Sequence, residues 1–145
     1  MSNYFWNSFI NVSFLILCSY LLEVQTTRFP YWEPVLEDLK QIIKTPPKID
    51  TSLYTASYFG HCKISVVRCF YLEMNVLYYE AGIGGDSNVY NSTQRVLRTI
   101  ERFLEGKQEK ETSQCKECEN FEEKQYTEFI EDFQNIVRQF HREEE

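Results

Sequence analysis

Residues 115–140 read CKECENFEEKQYTEFIEDFQNIVRQF, from Cys115 to Phe140. Two cysteines, Cys115 and Cys118, stand about one helical turn apart at the start. Apolar side chains follow at Tyr126, Phe129, Ile130, Phe133, Ile136, Val137 and Phe140. Steps of three and four put them on one face of an α-helix, whereas a strand period would scatter them over two faces. The stretch predicts an amphipathic helix tied at its start to another part of the chain. The rest of the sequence must supply the tie and the surface on which the helix packs.

Three further stripes do so. Trp32, Val35, Leu36, Leu39, Ile42 and Ile43 recur at helical spacing. Pro34 sits in the first turn of that helix, where a missing N–H costs nothing, and Pro46-Pro47 stops it. Lys48 to His61 has no clear period and reads as a long connection that crosses the domain. A second helix spans about Cys62 to Ala81, with Val66, Val67, Phe70, Met74, Leu77 and Tyr78 on its apolar face. Gly82, Gly84 and Gly85 end it, and Asp86 or Ser87 can cap the next. The third helix carries Val89, Val96, Leu97, Ile100, Phe103 and Leu104 and stops at Gly106. Lys107 to Gln114 is a charged linker. Four helices with one apolar stripe each bury those stripes together, which predicts an all-α four-helix bundle. A short turn between the second and third helices, a long first connection and a linker of about eight residues that fraying at both ends would lengthen suit an up-up-down-down order.

Composition bounds the partners. The chain has 145 residues, the size of one small domain, and a formal net charge of -7. Nucleic acid and anionic membrane surfaces both call for a basic face. Phe9 to Leu22 is largely apolar over 14 residues (FINVSFLILCSYLL), short of the roughly 20 a membrane span needs. It fits the apolar region of a secretory signal peptide, although no Lys or Arg precedes it, with an uncleaved anchor or a buried helix as the alternatives. That reading assigns residues 1–27 to the signal, with cleavage near Thr26-Thr27, and 28–145 to a domain secreted into the extracellular space. Of five cysteines, Cys18 falls in the signal, leaving Cys62, Cys69, Cys115 and Cys118. An even set in a small secreted chain reads as two disulfides. The four allow three pairings, and both plausible orders tie the second helix to the fourth. Asn91-Ser92-Thr93 is a glycosylation sequon. Asn11-Val12-Ser13 matches too but lies in the signal.

Signals for catalysis are weak. His61 and His141 have no partner at useful spacing and read as surface residues. Gly82 to Gly85 lies between helices and is a turn, because a phosphate loop follows a strand. Cys115-Lys116-Glu117-Cys118 admits a redox or a zinc reading, but no α/β pattern surrounds it and the six-residue gap between Cys62 and Cys69 suits zinc poorly. Disulfides fit best, with no metal and no cofactor. Acidic residues form two groups. Glu73 and Glu80 share a face of the second helix, and Glu119, Glu122 and Glu123 crowd what this pattern makes the first turns of the fourth. They read either as solvated charge at a helix N-terminus or as an acidic patch for a basic partner. The functional classes are therefore a protein that acts by binding, a secreted helical carrier of an apolar ligand, and a redox or zinc protein.

Specific residues carry a resemblance. Cys115-Lys116-Glu117-Cys118-Glu119, Glu122-Glu123-Lys124, Glu128-Phe129, Phe133, Ile136-Val137 and Phe140 resemble the last helix of the interleukin-15 family of four-helix cytokines. Trp32, Val35 and Asp38-Leu39-Lys40 are similar to its first helix. Ile49-Asp50 and Leu53-Tyr54-Thr55 are similar to its first loop. Cys62-Lys63, Cys69-Phe70, Leu72-Glu73, Glu80 and Gly82 are similar to its second helix. The resemblance covers about residues 31 to 142. It implies a secreted cytokine that binds a dedicated alpha receptor chain and assembles beta and common gamma signalling chains on lymphocytes. It implies alpha-chain contacts at Tyr54, Glu73, Val76, Glu80, Glu119 and Glu123, beta-chain contacts at Asp38, Asn91, Gln94 and Arg95, and gamma-chain contacts at Arg138 and Gln139. It also implies the pairing Cys62–Cys115 and Cys69–Cys118. The chain departs from the family at Asn120, where glutamate is usual, at Asn91, which is also the sequon, at Arg95, which replaces a neutral residue, and at Arg138, which replaces glutamine.

Overall fold

A computed structural model describes residues 29–44, 50–107 and 114–143. The expected signal peptide, Pro46-Pro47, most of the charged linker and the last two glutamates lie outside the described residues. Four helices organise the unit Tyr31–Glu145: α1 (Trp32–Lys44), α2 (Lys63–Gly84), α3 (Ser87–Leu104) and α4 (Tyr126–Glu143). Among the described residues, the other elements are two short strands, β1 (Leu53–Thr55) and β2 (Glu122–Lys124), and one 3₁₀ turn at Cys118–Asn120.

The helix ends follow local chemistry. Asp86 caps α3, its side chain accepting from the Val89 N–H at 3.2 Å, which satisfies a donor that the first turn leaves unpaired. Gly85, at φ 72°, closes α2 in the left-handed conformation that glycine adopts without steric cost. The second helix therefore outlasts the expected end at Ala81 by three residues, running through Gly82 to Gly84. Tolerance of these glycines comes from position, because a last turn demands less propensity than a helix interior.

Side-chain contacts fix the helix directions. The Trp32 ring, at the start of α1, lies 4.9 Å from Phe103 and 5.2 Å from Phe140, at the ends of α3 and α4. Lys63, at the start of α2, lies over the same two rings. Both α1 and α2 thus run opposite to α3 and α4, the up-up-down-down order. At the other end, the Tyr126 hydroxyl opens α4 by donating to the Ile42 carbonyl at 2.9 Å. The core holds Trp32, Val35, Leu39 and Ile42 of α1, Phe70, Met74 and Leu77 of α2, Val96 and Ile100 of α3, and all seven apolar residues of the α4 stripe. Phe70 stacks between helices, 5.5 Å from Phe129 and 4.3 Å from Phe133.

Two disulfides link α2 and its N-terminal boundary to the segment before α4: Cys62–Cys115 and Cys69–Cys118. Each closes a loop of about fifty residues, and a link of this kind contributes about 2–4 kcal/mol. The quoted stretch is corrected in one respect. Its first eleven residues lie outside the α-helix. After the 3₁₀ turn, Glu122–Lys124 form β2, antiparallel to β1 with Leu53 opposite Lys124, Tyr54 opposite Glu123 and Thr55 opposite Glu122. The helix begins only at Tyr126. The cysteines hold the chain extended across α2, and the extended backbone finds its hydrogen bonds in the first long connection, which the sequence pattern leaves without structure.

Candidate functional site

The β ribbon gathers Glu73, Glu119 and Glu123 around Tyr54. The Tyr54 N–H donates to Glu73 Oε2 on α2 at 2.9 Å. Tyr54 spends its amide on the helix, so Tyr54 and Glu123 form the type of cross-strand pair whose side chains stand closest. The Glu123 carboxylate accordingly raises the Tyr54 hydroxyl above the usual tyrosine range, with burial, a hydrogen bond to Glu123 and the charges of Glu73 and Glu119 adding to it. Burial raises the Glu73 carboxyl above its ordinary 4.5, the Tyr54 N–H opposes the rise and the Glu123 charge reinforces it. Three carboxylates from three elements (α2, the 3₁₀ turn and β2) thus surround one tyrosine. Like charges held this close favour a cation brought by a partner.

Two further anchors hold the ribbon. Lys124 Nζ lies 2.8 Å from Asp132 Oδ2 on α4, and that hydrogen bond raises the lysine pKa while partial burial opposes it. Leu53 and Thr55 are buried beneath the ribbon, leaving Tyr54 half-exposed between them. Of the expected alpha-chain contacts, Tyr54, Glu73, Glu119 and Glu123 therefore come together. Val76 and Glu80 lie one and two turns along α2 from Glu73, on the same face.

Helix α2 carries a feature that the sequence reading missed. Leu72, Val76, Tyr79 and Ile83 are all exposed, Tyr79 and Ile83 by about two thirds. Their steps of four, three and four make one apolar stripe on the solvent side, beside Glu73 and Glu80. The signal was in the sequence: α2 is apolar around most of its circumference, and a helix half buried in a small bundle cannot hide every side. Only Val76 of this stripe was expected at a site.

The other expected contacts fall on two separate faces. Between α1 and α3, Arg95 Nε donates to Asp38 Oδ1 at 2.9 Å and Arg95 Nη2 to Ser92 Oγ at 3.2 Å. Asn91 is exposed and Gln94 half-buried. Thr93, the third residue of the sequon, is fully buried, and its hydroxyl donates back to the carbonyls of Val89 and Tyr90. Between α1 and α4, Arg138 lines a groove of about 430 Å³ with Glu33, Leu36, Glu37, Lys40, Ile43, Lys44 and Gln134. This accounts for Leu36 and Ile43, which belong to the α1 stripe but stay only partly covered. Arg138 also donates to Asn135 Oδ1 at 3.0 Å, while Gln139 is half-buried.

Comparison with known proteins identifies relatives of this chain. A family model described as Interleukin 15 matches residues 12–142. Interleukin-15 of Homo sapiens is 34% identical over 112 residues, covering 75% of this chain and 67% of that protein. Interleukin-15 of Oryctolagus cuniculus is 36% identical over 113 residues, covering 75% and 67%. Interleukin-15 of Mus musculus is 36% identical over 106 residues, covering 72% and 63%.

Proposed function

Because this chain belongs to the interleukin-15 family of cytokines, we propose that it is secreted and acts by binding three receptor chains, without catalysis. An alpha chain docks on the ribbon and α2, a beta chain on the α1–α3 face and a common gamma chain on the α1–α4 groove. Residues 1–27 act as a cleaved signal, 28–145 as the secreted domain, and Asn91 accepts a glycan. The responding cells are lymphocytes.

The observation that carries the alpha assignment is the convergence of Glu73, Glu119 and Glu123 on Tyr54. A basic receptor face meets fixed negative charge there and is drawn to it before contact, which speeds association. The exposed stripe Leu72, Val76, Tyr79 and Ile83 gives that interface an apolar area beside the charges, the usual division between energy and specificity.

The test is surface binding of the secreted protein to soluble alpha, beta and gamma ectodomains, singly and together. Glu123→Lys and Glu80→Lys are expected to weaken alpha-chain binding at least about tenfold, which is about 1.4 kcal/mol. Alpha affinity unchanged in both variants overturns the assignment.

A further inference from the structure

We propose that the α1–α3 face recognises a carboxylate carried by its partner, through Arg95, and that Asp38 serves this contact as a positioning residue. The inference rests on reading this face as the beta-chain surface and goes further by naming the chemistry that the partner must present.

The two members of the ion pair are not equally available. The Arg95 side chain is 56% exposed and the Asp38 side chain 15%. A protein approaching α1 and α3 therefore meets the guanidinium first, with the carboxylate beneath it. The arginine is also held. Its Nε–H donates to Asp38 on α1 and its Nη2 to Ser92 one turn back on α3. Guanidinium has five N–H donors in one plane, so these two bonds tie down the inner edge and leave donors for a ligand outside. A side chain fixed by two helices loses less freedom on binding than a loose one.

The surroundings suit an acid. A polar groove of about 380 Å³ is lined by Gln41, Asn88, Asn91, Ser92 and Arg95. Of these five only Arg95 is charged. The Asn88 amide beside it can donate to an oxygen of a carboxylate, while Gln41 already donates to Glu37 at 3.3 Å. A cationic partner seeking Asp38 would have to displace Arg95 and approach a like charge, which costs affinity. In a chain of net charge -7, this local cation separates the face from the acidic ribbon and allows two partners of opposite charge to be sorted.

The test uses the chain refolded from bacteria, which carries no glycan, and the soluble beta-chain ectodomain of the same species, at low and high salt. Arg95→Gln is expected to weaken binding about tenfold or more at low salt and to flatten the salt dependence. Arg95→Lys should recover part of the loss, because a point charge cannot form the paired contact. Asp38→Asn should cost less than Arg95→Gln, and Asp38→Glu, which keeps an acceptor for Nε–H, should restore affinity and its salt dependence together. Unchanged or tighter binding by Arg95→Gln overturns the proposal, since Asp38 would then be the presented group. Asn88→Trp checks the face itself. If it binds as well as the parent, the face assignment fails and the proposal with it. If it binds poorly while Arg95→Gln is unaffected, the proposal alone fails. Thermal unfolding of each variant checks that the bundle is intact.

Discussion

At the scale of single residues, Glu73 joins the structure to the proposed alpha-chain contact. It is the acceptor for the Tyr54 N–H and a neighbour of the Glu123 charge, and its carboxyl titrates above the ordinary 4.5. The two consequences of acid have opposite signs. A raised folded-state pKa means that the folded chain holds this proton more tightly than the unfolded chain, so lowering pH through the raised value toward 4.5 adds stability from this group. Affinity for a basic partner needs the ionised form, and over the same interval it falls. Alpha-chain affinity should therefore begin to drop at a higher pH than an ordinary carboxylate would dictate. Glu73→Gln should lower affinity at neutral pH and remove part of that dependence. Affinity measured against pH for both proteins checks this, and superimposable profiles would count against Glu73.

At the scale of elements, the disulfide Cys69–Cys118 and the ribbon it adjoins are one device. Cys118 opens the 3₁₀ turn, β2 begins four residues after it, and β1 rests against both. The double variant Cys69→Ser/Cys118→Ser should lose about 2–4 kcal/mol of stability and lower alpha-chain affinity by more than the thermal shift alone accounts for. Chemical denaturation and binding, measured side by side, separate the two effects. The same elements mark where sequence reading stops. The four helices were legible because each repeats an apolar stripe over three turns or more, and Phe129 to Phe140 needed nothing beyond that period. The ribbon was not legible. Three residues are too few for an alternating pattern, and Glu122-Glu123-Lys124 is good helix-forming sequence that tertiary context holds extended. The acidic residues were thus correctly grouped but placed on the wrong backbone. The cysteine pairing followed from family resemblance alone, since spacing left it open. The Asp38–Arg95 contact, 57 residues apart, could be found only once α1 and α3 were side by side.

At the scale of the whole molecule, the faces divide by charge and polarity. The ribbon and α2 present carboxylates beside an apolar stripe, the α1–α3 groove presents an arginine among amides, and the α1–α4 groove mixes Glu33 and Glu37 with Lys40, Lys44 and Arg138. A bundle whose core is made by aromatic contacts between its helices can carry such different surfaces without changing its interior. Its cross-links have a further, purely covalent consequence. Both bonds span the linker between Lys107 and Gln114, joining cysteines before it to cysteines after it. A protease that cuts in that linker divides the polypeptide without releasing either fragment. Limited digestion should give one band on a non-reducing gel and two on a reducing gel, with α4 still docked and alpha-chain binding retained. The two-chain form would then be distinguishable from the intact one only after its disulfides are opened.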